Sequence, residues 1–148
     1  MPTLIKFLHL AAAVVWLGGL VFLLFALRPV LAAQLSPALR LPLIAQVISR
    51  FFRLVWGSVA ILLVSGLSML LAVGMKNAPL GWHVMLGIGL LMFALFGHVY
   101  LGPFARLKRA VAATDWSQGG RQTQQIALLA WVNLLLGTAS IAAVLFLR

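Results

Sequence analysis

The sequence predicts an all-α fold, an up-down bundle of four membrane-spanning helices with both termini on the same side. Two observations carry that prediction. The 148-residue chain is 64% hydrophobic and only 8% charged, whereas soluble domains carry roughly a quarter charged residues. Its apolar residues also gather into four stretches, Leu4–Leu27, Leu54–Gly74, Trp82–Gly102 and Gln124–Leu147, each near the ~20 residues that cross a bilayer. The chain reads as a single integral membrane domain over residues 1–148, with no internal repeat and no soluble module.

The first stretch is too long for a signal-peptide core of ~7–15 residues and is expected to stay as a helix ending near Arg28-Pro29. Residues from Pro42 to Arg53 are expected to extend the second helix into the interface, with Arg50, Arg53 and Trp56 at headgroup depth. Asn77-Ala-Pro-Leu-Gly81 reads as a tight turn that makes the second and third spans antiparallel neighbours. Pro103 follows the third span, and Asp115–Gly120 is the most loop-like segment. Eight bases fall in the first and third connections, against Lys6, Lys76 and Arg148 elsewhere. By the positive-inside rule those connections are cytoplasmic and both termini periplasmic, in a bacterial-type inner membrane.

Composition removes several chemistries. Asp115 is the one acid, so paired-carboxylate catalysis is excluded. The absence of cysteine excludes disulfides, thiolate metal sites and thiol nucleophiles. The formal charge of +10 is scattered between apolar runs; it reads as a topology signal with some affinity for anionic lipid, and nucleic acid is not an expected partner.

Ionisable side chains inside a span are costly and usually face the bundle interior. His9, Ala12, Ala13, Trp16 and Gly19 align on the first helix, Ser58, Ser65 and Ser68 on the second, Asn133, Gly137 and Ser140 on the fourth. On the third, the expected inner stripe is His83, Gly87, Ala94 and His98. His83 and His98 are fifteen residues apart, ~22 Å along a helix, so one metal cannot join them. His9 and His83 share a depth, and Met85 lies there too, but ~200° around the helix from His83. Only one of His83 and Met85 is expected to reach a site with His9. A His/Met set of this kind suits copper(I) or a haem iron. The expected metal ligands are therefore His9 with His83 or Met85, with Trp16 beside the cofactor. At the other end, Arg50 and Arg53, at the depth of His98 and Tyr100, are candidates to clamp a cofactor's propionates or another anion, set against plain headgroup anchoring. His98 is a candidate cofactor contact, set against a structural hydrogen bond within the bundle.

The run Phe7-Leu-His-Leu-Ala-Ala-Ala-Val-Val-Trp-Leu-Gly-Gly19, with Arg50-Phe-Phe-Arg53 and Ser65-Gly66-Leu67, resembles the copper-resistance protein D (CopD) family. Together with Gly81-Trp82-His83, His98-Val-Tyr100 and Trp131-Val-Asn133, it also resembles the HemJ-type protoporphyrinogen oxidases. The second resemblance implies that His9 is a haem ligand; where those proteins carry a lysine early in the third helix, this chain has Met85, a thioether. The first implies copper handling at the inner membrane. The leading expectation is a haem b protein, with redox action on a tetrapyrrole or quinone-like substrate. The alternatives are copper binding or uptake, and a structural or assembly subunit of a membrane complex; a homo-oligomer is compatible with each.

Overall fold

The computed structural model describes residues 2–148, and they form helices joined by short turns. Four helical rods are long and apolar enough to cross a membrane: Pro2–Gln34, Pro37–Val73, Leu80–Ala112 and Trp116–Phe146. Their outer surfaces carry exposed Leu, Val, Ile and Phe along most of their length. In water such a surface would drive aggregation; against lipid it is the solvated face. The protein is an all-α, multi-pass membrane bundle.

The first rod passes the proline expected to end it. Helix α1 (Pro2–Phe22) runs into a π-helical turn, Leu23–Leu27, and then into α2 (Arg28–Gln34). Pro29 has no N–H, and its ring would collide with the carbonyl four residues earlier in a regular α-helix. The wider π turn relieves that collision, with the Arg28 N–H donating five residues back to the Leu23 carbonyl. The rod therefore continues to Gln34 instead of stopping at Arg28-Pro29.

Helix α3 (Pro37–Val73) begins with Pro37 in its first turn, where the missing N–H costs nothing. It extends the second span back through Pro42 as one continuous helix, and its early part packs within the bundle. Leu41, Ile44, Ala45 and Ile48 are buried, and most of them join a core with Phe52, Phe104, Leu107 and Ile126. Gly74 ends the helix at φ +90°, a conformation side-chain-bearing residues rarely adopt.

A short turn leads to α4 (Leu80–Leu101). Gly102 breaks the rod, and α5 (Pro103–Ala112) buries Phe104, Leu107 and Ala110 while Arg106, Lys108 and Arg109 stay exposed. The Lys108 ammonium sits 4.7 Å from the centroid of the Phe104 ring, within cation–π range. Only Ala113–Asp115 then lies outside helix. Asp115 accepts a hydrogen bond from the Gln118 N–H at 3.1 Å and so caps α6 (Trp116–Phe146). The segment read as a loop, Asp115–Gly120, is thus a cap followed by the first helical turn.

Packing does not follow the expected order of neighbours. α1 lies against α3, and α4 and α5 lie against α6; α3 and α4, joined by the tight turn, touch little. The backbones of α1 and α4 stay apart and are bridged by side chains. Glycine permits the closest approach on the α4–α6 side. A Cβ on Gly81 would run into the Ala143 carbonyl, and the Gly81 N–H donates to the Leu147 carbonyl at 2.8 Å. The result is two helical hairpins with a gap between them.

Candidate functional site

That gap is a cavity of about 420 Å³ bounded by α1, α3, α4 and α6. Its size falls within the ~300–1,000 Å³ of small-molecule sites. Lys6 and Trp82 line one end, where the 74–79 turn lies; Trp16, Met92 and Phe93 line the other. The walls between are apolar and include Gly66, Gly89 and Gly137; the absent side chain of Gly137 is what lets Leu17 pack there.

His9 lines this cavity from α1. Its Nδ1 is 2.8 Å from Ser65 Oγ on α3. The Ser65 hydroxyl donates its single proton to the Ile61 carbonyl at 2.5 Å, so it accepts from His9. The network therefore assigns the proton to Nδ1 and leaves a lone pair on Nε2. A second partner that fixes tautomer and ring orientation is the usual companion of a ligating histidine. Gly66 makes room for the ring: a Cβ there would stand 3.3 Å from His9 Cε1.

Apart from the Ser140 hydroxyl, the remaining donors are soft. Met69 of α3 and Met85 and Met92 of α4 line the cavity with His9. Asp115, the one acid of the chain, caps α6. Among the described residues no three His, Cys, Asp or Glu side chains gather. Any cation held in this cavity would meet one imidazole and thioethers, with no carboxylate.

Trp16 is 2% exposed. Its ring stacks on Phe93 at 5.8 Å and 17° and meets Phe96 edge-on at 6.1 Å. These contacts carry the bridge from α1 to α4.

The structure brings His9, Trp16 and Met85 to one cavity, and His83 is not part of its lining. His98 and Arg53 are exposed and line neither this cavity nor the smaller one below it. The stripe expected to face inward on the third span faces mostly outward, since Gly87, Ala94 and His98 are exposed. The buried face of α4 is Gly81, Met92, Phe96 and Val99. A helix apolar on all sides gives small or polar residues no power to mark its inner face. On α6 the expected Asn133, Gly137 and Ser140 are all buried. Sequence reasoning placed Ser65 and His9 on inner faces without joining them, and it did not single out Met69 and Met92.

A family model described as copper resistance protein D (CopD) matches residues 45–147. The chain belongs to the CopD family. Comparisons with curated proteins and with solved structures gave no match. The CopD match begins inside α3, so it includes Ser65, Gly66 and the cavity methionines, while His9 and Trp16 precede it. The chain is therefore a multi-pass membrane protein of the CopD family with an intramembrane cavity lined by one histidine and three methionines.

Proposed function

We propose that this protein takes copper(I) into the cavity between its two hairpins, with His9 and one or more of Met69, Met85 and Met92 as ligands. The observation that carries the reading is the His9–Ser65 pair. It commits Nδ1 as a donor and leaves Nε2 as the lone-pair atom of a side chain that lines the cavity. Imidazole and thioether are a soft donor set that favours copper(I) over harder cations. Charge favours the same choice, because neutral ligands in apolar surroundings hold a monovalent ion at less desolvation cost than a divalent one. Membership of the CopD family agrees with copper as the cargo.

The orientation that fits best puts the basic end, with α5 and the 113–115 turn, in the cytoplasm of an inner membrane. Lys6, Trp82 and the 74–79 turn then lie at the periplasmic end of the cavity.

A haem b reading has one observation in its favour: about 420 Å³ is more room than a bare ion needs. In that reading His9 and Met85 would hold the haem, and Lys6, which also lines the cavity, would be available to a propionate. Absorption spectroscopy and metal analysis of gently solubilised protein separate the two. The copper reading expects copper(I) bound under reducing conditions, no Soret band, and loss of copper in His9→Ala. A Soret band that disappears in His9→Ala installs haem b instead, and a protein with neither chromophore nor copper overturns both.

A further inference from the structure

The seam between α3 and the α4–α5 rod is closed by rings more than by backbone. α3 and α4 touch little, and a run of aromatic contacts joins the two rods near the basic end. The ring centroids of Phe52 and Phe104 are 5.0 Å apart, those of Trp56 and Tyr100 5.5 Å, and those of Tyr100 and Phe104 5.7 Å. Phe52 and Phe104 are buried beneath, whereas Trp56 is 44% exposed and Tyr100 is half-buried. Two rings with polar tips therefore show a facet on the outside of the bundle.

Depth identifies what they face. Tyr100 lies twenty residues along α4 from Leu80, ~30 Å at the helical rise and so about the thickness of the hydrocarbon core. Trp56 lies seventeen residues from Val73, the far end of α3, or ~26 Å. With the 74–79 turn at one membrane surface, both rings fall at the opposite interface, the level where Trp and Tyr gather.

Lys108 stands over them. Helical side chains lean towards the N-terminus of their helix. On α5 that carries the exposed Lys108 ammonium back towards the bilayer, 4.7 Å from the Phe104 ring centroid and 5.9 Å from that of Tyr100. Arg53, also exposed, precedes Trp56 by three residues and so starts ~4.5 Å nearer the headgroups. No side-chain carboxylate answers these charges, since Asp115 is the one acid of the chain and caps α6.

We propose that this seam binds one anionic phospholipid of the leaflet at the basic end, with its phosphate on Lys108 and Arg53 and its acyl chains laid past Tyr100 and Trp56. Ammonium and guanidinium both suit a phosphate ester, and apolar rings at interface depth suit the chains attached to it. A second copy of the protein would bring the same positive charges and is disfavoured as the occupant. Lys108, Tyr100 and Trp56 are not part of the His9 cavity lining, so the proposal stands apart from whatever that cavity holds.

Delipidated protein in neutral detergent is titrated with phosphatidylglycerol and with phosphatidylcholine of identical acyl chains, and bound lipid is counted by native mass spectrometry. Phosphatidylglycerol is expected to bind about tenfold or more tightly, the combined scale of two basic contacts. Lys108→Gln and Arg53→Gln should each weaken it by about fivefold, the scale of one, while Lys108→Arg retains it. Arg121→Gln, which removes an exposed charge of α6 away from the rings, should change nothing. Glycerol 3-phosphate in excess should not displace the lipid, because it carries the charge without the chains. Equal affinity for the two lipids would remove the anion from the site and overturn the proposal. Equal losses in Lys108→Gln and Arg121→Gln would do so by reducing the site to diffuse charge, and displacement by glycerol 3-phosphate by detaching the headgroup from the seam.

Discussion

His9 and Ser65, fifty-six residues apart in the chain, are joined at 2.8 Å between α1 and α3. The serine does not merely touch the imidazole. By sending its own proton to Ile61 it is left to accept from the imidazole, which orients the ring and favours the tautomer protonated at Nδ1. Ser65→Ala should therefore leave the bundle intact and weaken copper(I) binding by about 10- to 100-fold, the usual cost of losing such a partner. Competition with a copper(I) chelator measures it. Affinity unchanged in Ser65→Ala would remove Ser65 from the site.

Gly66 tests the same site by volume. Its absent Cβ would stand 3.3 Å from His9 Cε1, whereas a Cβ on Gly57, on the same helix, meets nothing within 4 Å. Gly66→Ala should displace the ring and weaken copper binding, and Gly57→Ala should leave it as it was. Equal effects in the two variants would show that the imidazole is free to move aside.

The α4–α6 contact is a packing prediction with no ligand in it. A Cβ on Gly81 meets the Ala143 and Leu147 carbonyls, which are backbone and cannot swing away, while Gly87 faces open space. Gly81→Ala should destabilise the detergent-solubilised protein by about 1–3 kcal/mol, the range for overpacking. Gly87→Ala should be neutral or slightly stabilising, since alanine favours helix over glycine. Thermal unfolding of the two variants side by side is the measurement, and a stable Gly81→Ala would mean that the helix ends separate easily.

Orientation is tested by reporters. A fusion within the 113–115 turn should give the cytoplasmic signal, and one after Arg148 the periplasmic signal. The opposite pattern would put the His9 cavity on the cytoplasmic side and reverse the direction in which cargo enters.

The four spans were legible because apolar length alone identifies them. Their ends were less so. Pro29 looked like a stop, but a π turn just before it lets the rod continue. Asp115-Trp-Ser-Gln-Gly-Gly120 looked like a loop because of its glycines, yet Asp115 is a cap and the residues after it are helical. The partnering of helices was not legible, since nearly uniform hydropathy around α4 conceals which side meets a neighbour. At the site, His9 stood out as an ionisable residue deep in a span. Its partner did not, because a serine in a membrane helix usually bonds its own backbone, as Ser68 does to Val64. Ser65 does this as well and still has a lone pair for His9.

The division into two hairpins bears on how the protein is made. Residues 2–73 contain one tightly packed pair of spans and residues 80–146 the other, with a six-residue turn between. The first pair can associate in the bilayer before the second has left the ribosome, because helices inserted separately assemble by packing afterwards. The cavity comes into being only when the late half docks on the early half, so the His9 imidazole meets its methionines of α4 last. Two fragments cut within residues 74–79 and co-expressed should consequently find each other and recover the cavity, which co-purification with bound copper would reveal. Fragments that insert but never pair would instead mean that the turn is needed as a tether.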